Sequence, residues 1–185
     1  ESDKEATAAL IQGLAPDAVI LATGISPVVP EIPGMEKVKA VMAEDVLLGK
    51  AATGKRVVII GGALVGCETA DFLSERGKQV TVTRRRPRMA EDMMPVVRAA
   101  LLTRLKDKKV ALLAGVKYES ISEKALTITT KEGVRQTLDA DTFVIAAGGT
   151  PDQRLYRALE GKVAERYLIG DAVEPRNIRT AIAEG

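Results

Sequence analysis

The run Gly61-Gly62-Ala63-Leu64-Val65-Gly66 carries the residue types and spacing that most directly suggest chemistry. A pyrophosphate is held by backbone N–H donors, by a close approach of the chain and by the positive end of a helix. A glycine-rich turn between a strand and a helix supplies all three. Gly61 suits the tight turn and Gly66 the close packing of a helix on a sheet. Ala63 takes the middle position, where glycine is preferred, and Gly62 offers another relief of crowding. A bare glycine pattern is weak, and a tight strand-to-helix turn without a ligand stays open as the alternative.

At the end of the following apolar strand stand Arg84, Arg85 and Arg86. An acidic residue there would hold the ribose hydroxyls of NAD, whereas arginine pairs with the extra phosphate of NADP. Guanidinium groups take phosphate in bidentate fashion, and a carboxylate would repel it. Arg84 and Arg85 therefore favour NADP(H) as cofactor, with NAD(H) as the alternative. A solvated arginine run with no ligand is the competing reading. Glu68, in the first turn of the expected helix, is either simply exposed or close to the cofactor. Cys67 reads as a small buried packing residue, with a reactive thiol at the helix N-terminus as the minority reading.

The rest of the composition narrows the chemistry. The 185 residues contain no histidine, no tryptophan and one cysteine. That removes Ser-His-Asp and Cys-His mechanisms, the commonest zinc sites and any internal dithiol centre, so no catalytic side chain and no metal site is assigned. Aromatic residues make up 3% and the net charge is +2, from 27 basic and 25 acidic residues, so neither nucleic acid nor an acidic membrane is an expected partner. With 46% apolar residues and no secretory or transmembrane stretch, a globular cytoplasmic domain is expected. The opening Glu1 suggests a domain cut from a longer polypeptide, or a processed product.

These residues need a scaffold, and the apolar periodicity supplies one. Ser2-Asp3-Lys4-Glu5 reads as a capping box before a short helix ending near Gly13. Asp17 to Ala22 is a buried strand, and the proline-rich stretch from Pro27 to Gly34 is a link. Lys55 to Ile60 and Gln79 to Thr83 are strands flanking a helix that carries Gly66, Ala70 and Leu73 and ends at Gly77. A second helix repeats Val97, Leu101 and Leu105, and Val110 to Leu113 is another strand. Lys117 to Ile121, Leu126 to Thr130 and Val134 to Leu138 form a small meander turning at Glu132-Gly133, after which Thr142 to Ala146 is again a buried strand. The order predicts an α/β fold with a doubly wound parallel sheet, a Rossmann-type NAD(P) domain with a small β-meander.

Spread along the whole chain, several further motifs stand in a characteristic order. The strand ending in Ala22-Thr23-Gly24, the Pro30-x-x-Pro33-Gly34 link, the Gly61 turn and Ile169-Gly170-Asp171 together resemble two-dinucleotide-binding-domain flavoproteins. Gly66-Cys67-Glu68-Thr69-Ala70, Arg76-Gly77 and Gly170-Asp171-Ala172-x-x-Pro175-Arg176 resemble, more narrowly, the C-terminal half of the 2,4-dienoyl-CoA reductase and trimethylamine dehydrogenase group of the NADH:flavin oxidoreductase family. The resemblance implies a pyridine nucleotide-disulfide oxidoreductase-like fold, with residues 53–147 as the NAD(P) domain. Residues 1–52 and 148–185 would be segments of an FAD-like domain. It implies that Asp171 and Gly170 lie at the flavin ribitol and that Glu68 lies near the nicotinamide end. Thr23 and Gly24 close the FAD-like strand, and Gly148 and Gly149 form the turn back from the NAD(P) domain. Many relatives carry glutamate where Arg84 stands.

The family's N-terminal FAD unit, its FMN-binding barrel and its iron–sulfur cysteine cluster are not in this sequence. FAD, FMN and a 4Fe-4S cluster are thus implied only for a parent enzyme, and the missing domains are the implied partners. The expected function is an NAD(P)H-binding part of a flavin-dependent oxidoreductase, passing hydride from NADPH to a flavin, not catalytically competent in isolation. The alternative is a structural ADP-binding module with no turnover of its own.

Overall fold

The computed structural model describes residues 3–176 and 178–185. The chain divides into two compact units, residues 29–148 forming one, the described residues up to Val28 together with 149–185 the other. The smaller unit begins with α1 (Ala8–Leu14), β1 (Ala18–Leu21) and β2 (Ile25–Pro27). The larger holds β3 (Val41–Met42), α2 (Ala43–Leu47), β4 (Arg56–Ile60), α3 (Leu64–Glu75), β5 (Gln79–Arg84), α4 (Pro95–Asp107), β6 (Ala111–Ala114), β7 (Lys117–Ile121), β8 (Ala125–Thr129), β9 (Arg135–Asp139) and β10 (Thr142–Ile145). The chain returns to the smaller unit with β11 (Gly149–Pro151), α5 (Arg154–Ala158), β12 (Glu165–Leu168) and α6 (Ile178–Glu184).

The larger unit is built on a five-stranded parallel sheet of order β3-β10-β4-β5-β6. Strand residues alternate between faces, and both faces are apolar. Val57, Ile59, Val80 and Val82 join α2, α3 and α4 in one core, through Ala43, Val46, Cys67, Ala70, Leu73, Leu101 and Leu105. Val58, Ile60, Phe143 and Ile145 face the other way and pack on Ile121, Leu126, Ile128 and Leu138 of the antiparallel sheet β7-β8-β9. The expected α/β parallel sheet with its meander is thus present, the meander covering one face and the helices the other.

Differences from the sequence reading have local causes. Ser2 lies outside the described residues, and α1 is capped by Thr7, whose Oγ1 accepts from the Leu10 amide at 3.2 Å. Residues 29–52 were grouped with the flanking segments, yet β3 pairs with β10 and α2 buries Ala43 and Val46 in the larger unit's core, so that unit starts at Val29. Pro27, expected in a link, ends β2, which pairs antiparallel with β11, whose own Gly149 was expected in a turn. Val97 is 51% exposed although Leu101 and Leu105 are buried, because the first turn of α4 projects beyond the core.

Asp141 ties the starts of β10 and β4 together. It accepts from Arg56 through the backbone N–H at 2.9 Å and a guanidinium N–H at 2.8 Å, and these bonds hold its pKa down to about 2. A carboxyl with a depressed folded pKa contributes stability above its unfolded value, near 4, and that contribution is lost as pH falls toward 2. Melting temperature followed from pH 5 to pH 2 should therefore fall less steeply in Asp141→Asn than in the wild type. Parallel curves would remove this ion pair from the acid response.

Candidate functional site

The strand order places a topological switch point in the larger unit. From β4 the chain proceeds outward to β5 and β6, then returns to β10 on the other side of β4, so the strand order reverses between β4 and β10. Ligands of open α/β sheets bind in the crevice at such a point. The turn 61–66 lies there. Gly61, with φ of 119°, donates its N–H to Thr83 O at 2.9 Å, and a Cβ on it would strike the Ala146 carbonyl beyond β10. A Cβ on Gly66 would run into the Gly61 carbonyl, 2.8 Å from its carbon. Only glycine allows α3 to start this close to the sheet.

Ala63 is the N-cap of α3 and offers no side-chain acceptor. The first-turn amides of a helix have no intrahelical partners, and they give that end its positive potential. Leu64 N–H is met from a distance in sequence, by both carboxylate oxygens of Asp92 at 3.1 Å. Val65 is about half exposed in this first turn, and Glu68, one turn further on, is exposed. Cys67 is fully buried with its Sγ 3.6 Å from Gly62 O, and burial pushes the thiol up to about 11, so the group is a protonated packing element at neutral pH.

The arginines separate into different roles. Arg84 is 9% exposed, donating from Nη1 to Gly62 O at 2.8 Å and from Nη2 to Glu91 Oε1 at 2.7 Å. Arg86 is exposed and reaches the same Glu91 oxygen at 3.0 Å. The Arg86 hydrogen bond, helped by the charges of Arg84 and Arg88, holds Glu91 below the usual carboxylate range. Arg85 is exposed, its guanidinium 5.5 Å from the centroid of the Tyr118 ring. Sequence reasoning passed over Glu91 and Asp92. Their signal was available as an acidic pair beginning five residues beyond a basic run, but nothing in the spacing told which backbone they would meet.

The remaining expected residues lie in or beside the smaller unit. Thr23 Oγ1 donates to Asp152 O and Asp152 N to Gly24 O, which fastens the end of β1 to the segment after β11. Gly170, with φ of 64°, starts a 3-10 turn through Ala172, and its N–H meets Glu184 at 2.7 Å. Asp171 is partly buried and accepts from Arg176 N at 3.0 Å. Gly148, the last residue of the larger unit, has φ of 83°. Among the described residues no group of three or more acidic or cysteine side chains is placed to hold a metal, and no helix is long and apolar enough to cross a membrane.

Residues 3–185 match the pyridine nucleotide-disulphide oxidoreductase family. An NADH oxidase from Thermoanaerobacter brockii is 37% identical over 97% of this chain and 28% of its own length. A bilirubin reductase from Mediterraneibacter gnavus is 34% identical over 98% of this chain and 28% of its own. Among solved structures, a 2-naphthoyl-CoA reductase in complex with 2-naphthoyl-CoA superposes with a TM-score of 0.90 and 31% identity, over 98% of this chain and 28% of that one. The chain thus spans little more than a quarter of the length of these three relatives.

Proposed function

Because the chain belongs to the pyridine nucleotide-disulphide oxidoreductase family, a family of flavin-dependent enzymes, we propose that its larger unit binds the adenine-dinucleotide part of NADP(H) within a larger reductase resembling 2,4-dienoyl-CoA reductase. The observation that carries this reading is the coincidence of the N-terminus of α3, which its own N-cap residue Ala63 leaves without a side-chain acceptor, with the switch point at the ends of β4 and β10. The pyrophosphate would sit against the first-turn amides of Leu64, Val65 and Gly66, with Gly61, Gly62 and Ala63 giving close approach. Glu68 would lie toward the nicotinamide. Arg84 and Arg85 would face the 2′-phosphate, Arg85 being exposed.

In this reading the larger unit, residues 29–148, carries the NAD(P) domain expected at 53–147, and the smaller unit belongs to an FAD-like domain, with Thr23, Gly24, Gly170 and Asp171 beside the flavin and Gly148 and Gly149 at the crossing. Unit architecture supports a partner for those segments. β1 and β12 make a two-stranded parallel sheet on which Ile20 and Tyr167 remain 68% and 52% exposed, and two strands alone bury too little to be stable. The rest of that sheet is assigned to other parts of the parent. Bound nicotinamide and flavin would supply the hydride chemistry, while this chain's residues bind, orient and exclude water.

Isothermal titration of the chain with NADPH, NADH and ADP tests the reading. NADPH is expected to bind more tightly than NADH, and Arg85→Ala to weaken NADPH about tenfold, the worth of one charged hydrogen bond, while sparing NADH. ADP binding as tight as NADPH would favour a structural nucleotide module instead. A folded sample that binds none of the three rejects the assignment.

A further inference from the structure

The segment after β5 does more than connect it to α4. Residues 86–94 are fastened to the glycine turn, to α4 and to the turn after β6. Ala90 N donates to Gly62 O at 2.7 Å, Arg98 Nε donates to Met89 O at 2.7 Å, and Gly115 N donates to Arg86 O at 3.0 Å. Met89 is buried against Gly62, where a Cβ would collide with its sulfur. At the centre Ala90 is fully buried with φ of 47°, a left-handed conformation that alanine seldom adopts and that the surrounding contacts enforce.

Two neighbouring carboxylates of this segment lie on two different cationic seats. Asp92 receives the Leu64 amide at the positive end of α3. Glu91 receives Arg84 and Arg86 at the end of β5. A dinucleotide phosphate ligand carries negative charge at these same two kinds of seat, the pyrophosphate at the helix end and the 2′-phosphate at the arginines. A local acceptor at the N-cap would fill the first seat permanently, but Ala63 has none, so the seat is served by a side chain that a loop movement can withdraw.

We propose that residues 86–94 are an autoinhibitory strap whose Asp92 and Glu91 stand in for the pyrophosphate and the 2′-phosphate, so that NADPH enters as the strap leaves. The inference rests on the reading of the larger unit as a dinucleotide-binding unit and adds its regulation. It also explains why Arg84 is internally paired: Glu91 keeps the guanidinium aligned until a phosphate replaces it. Departure relaxes the strain at Ala90 but takes Met89 and Ala90 out of the core, so the bound phosphates must supply the difference.

The test is titration of the wild-type chain, Asp92→Asn and Glu91→Gln with NADPH and NADH. Removing the Asp92 charge should tighten both ligands by about three- to tenfold, the effect of one charge at a helix terminus. Glu91→Gln should tighten NADPH by a similar factor while leaving NADH within about twofold. Unchanged or weaker binding by Asp92→Asn, or a Glu91→Gln that gives NADPH no advantage, overturns the strap while leaving the dinucleotide assignment intact. Silence of all three folded proteins toward both ligands overturns that assignment as well. If a variant does not fold, hydrogen exchange on the wild type decides, because saturating NADPH should deprotect the Ala90 amide, and retained protection there refutes the strap.

Discussion

Replacing Gly66 by alanine is expected to lower the melting temperature of the larger unit by on the order of 10 °C and to abolish measurable dinucleotide binding. The new methyl would press on the Gly61 carbonyl and lie 3.3 Å from Ala146 Cβ, so neither neighbour is the movable end of a long side chain. Both are fixed just past the strand ends, Gly61 N donating to Thr83 O and Ala146 N to Ile60 O, each at 2.9 Å. The helix must therefore shift as a body, and overpacking of this kind costs about 3 kcal/mol or more. The shift also moves the first-turn amides away from the switch point, which is why binding and stability should fail together. Gly13→Ala is the control, because a Cβ there meets nothing within 4 Å and the residue lies inside α1. Thermal unfolding followed by circular dichroism, with NADPH titration of both variants, separates the outcomes, and a Gly66→Ala protein with wild-type melting would refute the close-approach argument.

Arg84→Ala should cost about 2 kcal/mol of stability and also erase the preference for NADPH over NADH, by about tenfold in the ratio of dissociation constants. The stability loss arises because Glu91 would keep the hydrogen bond of Arg86 alone, which is exposed, and Gly62 O would lose its charged donor, keeping the Ala90 amide and the weak Cys67 thiol. The loss of preference arises because, among the described residues, no other arginine is buried beside the turn. Denaturant unfolding measures the first effect and paired titrations the second. A destabilised protein whose ligand ratio is unchanged would make Arg84 a clamp for the turn and leave the phosphate to Arg85.

The chain shows where sequence is sufficient and where it is not. Lys117 to Ile121 was read as a strand and β7 has those bounds, because alternation and a nearby turn leave a short antiparallel strand little freedom. The turn 61–66 was equally legible, since its glycines answer to steric demands of the strand and helix on either side. By contrast, β2 and β11 were missed. Each has three residues and forms only by pairing with the other, some 120 positions away, a contact that neither segment encodes alone. β3 was missed for the same reason, being a two-residue strand that exists only as an edge on β10.

What the sequence determined by itself is the order of the longer strands and helices of the larger unit, the parallel α/β class and the position of the glycine turn, because these follow from local periodicity and steric need. Only the tertiary structure decided how the charges are used. Arg84, Arg85 and Arg86 look alike in sequence, but the sheet buries Arg84 beside Gly62 and leaves the other two exposed. Asp92 lies 28 residues from Leu64, and it reaches that amide only because α3 and the segment before α4 leave the same end of the parallel sheet. Charge pairing depends on distance in space, and the folded chain sets that distance.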